Sequence, residues 1–175
     1  MVHSVELLFD PAAEAAVRDL WTALADAGIR SLAGHTSPSN RPHVTLTVAE
    51  HMDGAVDDAL CALLDRLPLS CLIGAPTLFG GGRTVTLVRM VVPSAGLLGL
   101  QADVHRVCLP HMADGPLPHA APGRWSPHVT LARRLPAGEL ATALGQPGMF
   151  GDIAAAAVGL RHWDGDGRVE HLISR

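Results

Sequence analysis

The sequence predicts a mixed chain of strands and helices built as two similar halves, and three observations predict it. The pentapeptide Pro-His-Val-Thr-Leu occurs twice, at 42–46 and at 127–131, each time inside an apolar run that reads as a strand. The same order of elements recurs around each copy: strand, helix, motif strand, helix, then a strand or hairpin. The two motif histidines, His43 and His128, stand 85 positions apart, close to half of the 175 residues, as a duplication would leave them.

Taken in order, Val2 to Phe9 alternates as a strand, and Asp10-Pro11 supplies an N-cap and an N1 proline for the first helix. Ala13, Val17, Leu20, Trp21 and Leu24 follow helical spacing, and Gly28 suits the C-terminal stop. A polar loop from Arg30 to Arg41 leads to the first motif strand, His43 to Ala49. A second helix over about 54–67 precedes a strand from Leu69 to Ala75 and another near Leu78, and Gly80-Gly81-Gly82 marks the turn between halves. That glycine run is no phosphate loop, because it lacks the Gly-Lys-Ser/Thr ending before a helix.

The second half starts with a strand over 83–92 and a Ser94-capped helix to about Leu109. Residues 111–125, rich in proline, glycine and histidine, form a long loop of the kind that often carries function. The second motif strand (128–133), a short helix near 138–144 and two strands (153–163 and 168–174) complete the half, with the turn of the last hairpin at 164–167.

In a strand successive side chains alternate faces, so His43 and Thr45 point one way, about 6 to 7 Å apart, and Val44 and Leu46 the other. The same holds for His128 and Thr130. One His-x-Thr alone reads as a solvated strand face. Two copies at matching places read as two imidazoles and two hydroxyls turned into one cleft.

Composition narrows the function classes. The formal charge is −4 and every fixed side-chain cation is an arginine, because the chain has no lysine. A long nucleic-acid duplex, whose binding needs a basic face, is excluded as the main partner, whereas a few arginines in a cleft can hold one or two phosphates. Three cysteines, Cys61, Cys71 and Cys108, with no Cys-x-x-Cys, read as reduced thiols. No stretch is apolar enough for a membrane span, and no basic-then-apolar leader opens the chain, so the expectation is a cytoplasmic monomer.

On these residues the chain resembles the two-histidine phosphoesterases, in particular the 2′-5′ RNA ligase-like and RNA 2′,3′-cyclic phosphodiesterase branch. The resemblance covers the whole chain, and its second motif extends to His128-Val129-Thr130-Leu131-Ala132-Arg133, where the family often has an arginine. It implies an α+β fold of two pseudo-symmetric lobes, each an antiparallel sheet with helices on its outer face, around a central groove. The whole is one bilobal domain over 1–175, with repeats at roughly 1–80 and 83–175. It also implies a small nucleotide or RNA end as substrate, turned over without a cofactor or metal, by hydrolysis or by reversible 2′-5′ ligation.

The chemistry follows from the residue types. Displacing an alkoxide from a phosphodiester needs a base for the nucleophile and an acid for the leaving oxygen, and two histidines with pKa values near 6.5 can supply both. Sequence leaves the assignment of the two roles open. Thr45, Thr130 and Arg133 would hold the charged oxygens. Arg41 and Arg124 precede the histidines by two and four positions, with reach to the groove or to solvent; Trp125 and Trp163 would stack on a base or pack. The other eight histidines lack zinc-site spacing and read as ordinary surface or partly buried residues, His119 on the long loop excepted. The competing class is a binding module that recognises a nucleotide without turnover.

Overall fold

The computed structural model describes residues 2–175. The strands β1 (His3–Phe9), β2 (His43–Ala49), β3 (Leu69–Phe79), β4 (Thr84–Val91), β5 (His128–Pro136), β6 (Ile153–Asp164) and β7 (Val169–Leu172) form one antiparallel sheet in the order β2-β1-β6-β3-β4-β5, with β7 beside β6. The order is symmetric about the β6–β3 pair. In space β6, from late in the chain, lies next to β1, and β3, from its first half, lies next to β4. Each spatial half is thus assembled from both halves of the sequence.

Asp10 caps α1 (Pro11–Asp26), its carboxylate accepting from the Ala12 and Ala13 N–H groups, and Ser94 caps α3 (Ala95–Cys108) through Leu97 N–H. Both helices bury the stripe their spacing dictates: Val17, Leu20, Trp21 and Leu24 on α1, and Leu97, Leu100 and Val104 on α3. The core they form takes Val5, Leu7 and Phe9 from β1, with Val44 and Leu46 from β2 and Val129 and Leu131 from β5. The helix expected over 54–67 is one α-turn, α2 (Val56–Leu60), tightened into a 3₁₀ helix over Cys61–Arg66. Buried Leu60 and Leu63 are three apart, which suits three residues per turn, and Pro68 closes the segment. The two strands expected around 69–78 are a single one, β3. The short helix of the second half is α4 (Leu140–Leu144), preceded by a 3₁₀ turn over Ala137–Glu139. The cysteines are all free thiols; Cys61 and Cys71 are half-buried, and burial pushes the Cys108 thiol up to about 12.

Motif strands β2 and β5 end the strand order, and the helices secure them crosswise. Trp21 of α1 donates its indole N–H to the Thr130 carbonyl (3.0 Å), and Gln101 of α3 donates to the Leu46 carbonyl (3.1 Å). Edge strands leave backbone groups without a ladder partner, and these side chains meet that need. Gln101 also holds the Ala120 carbonyl (2.8 Å), which ties the long loop to β2 along with the Leu117 N–H to Val48 carbonyl bond. No described helix is long and apolar enough to cross a membrane.

Candidate active site

His43 opens β2 and His128 opens β5, and both line one cavity of about 730 Å³. Their rings are held alike. His43 Nδ1 lies 2.7 Å from the Arg41 carbonyl and His128 Nδ1 lies 2.7 Å from the Ser126 carbonyl. A carbonyl only accepts, so each Nδ1 carries a proton and each Nε2 is the atom free to give or take one.

Both motif strands are bulged just past the threonine. Thr45 pairs with Glu6 and Thr47 with Val5, so Leu46 is extra; Thr130 pairs with Val88 and Ala132 with Leu87, so Leu131 is extra. The second bulge moves Arg133. Strict alternation would set it on the buried face with Val129 and Leu131, but Leu131 and Ala132 are both buried and Arg133 lines the cavity. Arg134, at φ 55, completes the distortion with a left-handed backbone. At the matching place on β2 stands Val48.

The strand beside each motif differs. Across from Thr45 stands Glu6, and across from Glu6 on β6 stands Arg161. Arg161 donates from Nε to Glu6 Oε2 (2.7 Å), and its Nη1 reaches Glu170 (2.6 Å) and the Ser39 carbonyl (2.8 Å). Ser4 donates to the other oxygen, Glu6 Oε1 (2.8 Å), which lies 3.6 Å from His43 Nε2. Burial pushes the Glu6 carboxyl up, but His43, Arg161 and the hydrogen bonds outweigh it and hold Glu6 below its ordinary value. Glu6 is a buried anion facing His43. Around His128 no carboxylate stands in that place: Val88 faces Thr130, and Phe79 sets its ring edge-on to the imidazole at 4.7 Å. Burial lowers the His128 pKa; the Ser126 carbonyl opposes this, and the nearby charges of His43, Arg133 and His119 add to it.

Of the residues singled out from sequence, His43, His128, Thr45, Arg133, Arg124, Trp125, Trp163 and His119 line the cavity. Trp125 also packs on the core and donates its indole N–H to the Thr45 carbonyl (2.8 Å). Thr130 is half-buried and stands outside the lining. Arg41 is turned away, paired with Glu14 at 2.6 Å, and only its carbonyl serves the site. Glu6, Arg161 and Phe79 escaped the sequence reading. Glu6 had left a signal, a lone carboxylate in a strand whose other face is Val5, Leu7 and Phe9.

The sequence pattern of the 2′-5′ RNA ligase superfamily matches residues 8–147. The chain belongs to that superfamily. Among solved structures, this 2′-5′ RNA ligase superfamily member is similar to TT0787 of Thermus thermophilus, with a TM-score of 0.60 and 16% identity over 99% of this chain and 96% of that one. E. coli LigT in apo form gives a TM-score of 0.59 and 17% identity over 99% and 95%. Kluyveromyces marxianus Usb1 gives 0.56 at 9% identity over 99% and 98%. These identities speak for the fold. No curated protein sequence matches the chain. Superfamily membership sets it among the two-histidine phosphoesterases, enzymes of phosphodiester or RNA-ligase-like chemistry.

Proposed function

We propose that this chain is a phosphodiesterase that opens 2′,3′-cyclic phosphates or cleaves 2′-5′ linkages at RNA ends or on nucleotides, with His128 as base and His43 as acid. One observation carries the reading: two imidazoles, each with Nδ1 committed to a carbonyl and Nε2 free, line one cavity with Thr45 and Arg133. The surroundings divide the roles. His128, its pKa lowered by burial and by neighbouring cations, is neutral near pH 7 and takes a proton from water through Nε2. The water oxygen bonds to phosphorus and the ester bond on the far side breaks. His43, whose imidazolium has the Glu6 carboxylate 3.6 Å away, gives its Nε2 proton to the departing oxygen. Charge on the non-bridging oxygens is met by Arg133 and the Thr45 hydroxyl.

A cavity of about 730 Å³ with Phe79, Trp125 and Trp163 in its wall is of a size and character to take one nucleotide. LigT with 3′-AMP and Usb1 with uridine monophosphate, both similar in fold, support a small nucleotide as ligand. The acid and base are both protein side chains, and among the described residues the one cluster with metal-ligand geometry lies outside the cavity lining, so turnover is expected to survive chelation. The test is turnover of 2′,3′-cyclic nucleotides, 2′-5′ oligoadenylates and RNA ends, with and without a chelator. Chelator-resistant cleavage of at least one is expected; binding without turnover across the panel, or turnover that needs an added metal, overturns the reading.

A further inference from the structure

Outside the groove, four histidines and three aspartates gather where the start of β1, the end of β2 and the β6–β7 turn meet. His3, 2% exposed, sits with its ring centroid 4.8 Å from His51 and 5.5 Å from His162, and His171 stacks on His162 at 5.6 Å. The hydrogen bonds settle the protons. The Asp57 carboxylate, which only accepts, is 2.8 Å from His162 Nδ1, so His162 donates there. Burial lowers the His162 pKa against the pull of Asp57, which favours the neutral ring and leaves His162 Nε2 as an acceptor. His3 Nδ1 lies 3.3 Å from that nitrogen and must be the donor. The neutral His3 ring then aims its Nε2 lone pair at Asp166 Oδ2 (3.2 Å) and Asp164 Oδ1 (3.3 Å). A lone pair facing two carboxylate oxygens in a buried place repels them unless a cation lies between.

We propose that a divalent transition-metal ion of the zinc class binds here, held by His3 Nε2, His51 Nδ1 and Asp166 Oδ2. These three atoms lie within 4.8 Å of one another, with His51 Nδ1 3.6 Å from Asp166 Oδ2. A tetrahedral ion with bonds of about 2.0 to 2.1 Å keeps its ligand atoms roughly 3.3 Å apart, so the 3.2 and 3.6 Å separations need little adjustment. Imidazole with carboxylate suits Zn²⁺ and Co²⁺ rather than Ca²⁺ or Mg²⁺. Asp57 and His162 form the outer relay that orients a metal-bound histidine, and Asp164, accepting the Asp166 and Gly167 N–H groups, shapes the turn that presents Asp166. A fourth position is left for water or for Asp164. The three ligands come from distant parts of the chain, so the ion would tie β1, the end of β2 and the terminal hairpin together.

The experiment uses the full chain, free of any affinity tag and stripped with a chelator. Zn²⁺ is titrated by calorimetry in two buffers of different ionisation heat, Co²⁺ by its visible spectrum, and the thermal midpoint is read with and without Zn²⁺. One equivalent with proton release, intense Co²⁺ bands of tetrahedral type and a raised midpoint are expected. His51→Ala and Asp166→Ala, both at exposed positions and so compatible with folding, should each weaken binding by about tenfold or more. Asp57→Asn should weaken it by about 10- to 100-fold. The His43→Ala/His128→Ala double variant should bind as the unaltered chain does. Absence of Zn²⁺ binding, binding indifferent to His51→Ala and Asp166→Ala, or binding lost only in the double variant overturns the site. Chelator-resistant turnover beside a chelator-sensitive midpoint keeps this test separate from that of the groove.

Discussion

Motif strands β2 and β5 carry the same five residues in the same backbone setting, yet their neighbours are unlike. The row across the first is Thr45, Glu6, Arg161; across the second it is Thr130, Val88, Thr77. Each histidine hangs from the carbonyl two residues before it, and each threonine carbonyl receives an indole N–H. One half then adds a buried anion with its guanidinium, and the other adds apolar side chains and, past the bulge, Arg133. A symmetric backbone supplies two equivalent imidazoles, and the strands beside them make the imidazoles unequal. Acid–base catalysis needs that inequality, since one ring must start charged and the other neutral.

The comparison breaks most sharply at the histidines. His43→Ala and His128→Ala should each lower kcat by roughly two to four orders of magnitude on a confirmed substrate. What separates them is the pH profile of kcat/KM: His128→Ala should lose the acid limb and His43→Ala the alkaline limb. Loss of the same limb in both, or near wild-type kcat in either, would end the proposed division of labour.

Glu6→Gln comes next. It strips Arg161 of its buried partner, so stability should fall by about 3 kcal/mol in chemical denaturation, while the alkaline limb moves to lower pH because the imidazolium loses its carboxylate. The Glu6 carboxyl is held below its ordinary value in the folded chain. Its stabilisation is therefore complete above the unfolded pKa and is lost as pH falls through the folded one, so acid unfolding should be steeper in the unaltered chain than in the variant. Equal acid sensitivity would remove Glu6 from the account.

On the other side, the lowered His128 pKa sets the acid limb of the unaltered enzyme below the ordinary histidine value of about 6.5. Arg133→Ala removes one of the cations responsible, so that limb should move up in pH as KM rises; a fixed limb would mean that Arg133 acts on substrate alone. The smallest effects belong to the hydroxyls. Thr45→Val should cost about 1 to 3 kcal/mol in kcat/KM, and Thr130→Val, outside the cavity lining, should cost less.

The motif was legible because it is local: alternation put His43 with Thr45 and Val44 with Leu46, and the half-buried and buried pattern of β2 and β5 follows it as far as the bulge. The caps at Asp10 and Ser94 were legible for the same reason. Alternation misplaced Arg133, because an extra residue in a strand leaves no mark in a pattern of period two. Arg41 looked like a groove cation by sequence distance, but Glu14, close in space and 27 positions away in sequence, claims it. The Glu6–Arg161 pair and the His3 cluster join residues far apart in the chain, and no window of sequence holds both partners.

The exchange of β3 and β6 bears on when this protein comes into being during synthesis. Strand β1 pairs with β2 early, but its other neighbour is β6, and Arg161, the cation that neutralises Glu6, emerges after nine-tenths of the chain. Until then β1 has an open flank and Glu6 a burial site without its partner, conditions that favour holding the groove unfinished. Its two halves cannot mature one after the other. The final strands act as a closing stitch, and the pocket becomes competent in one late, long-range step.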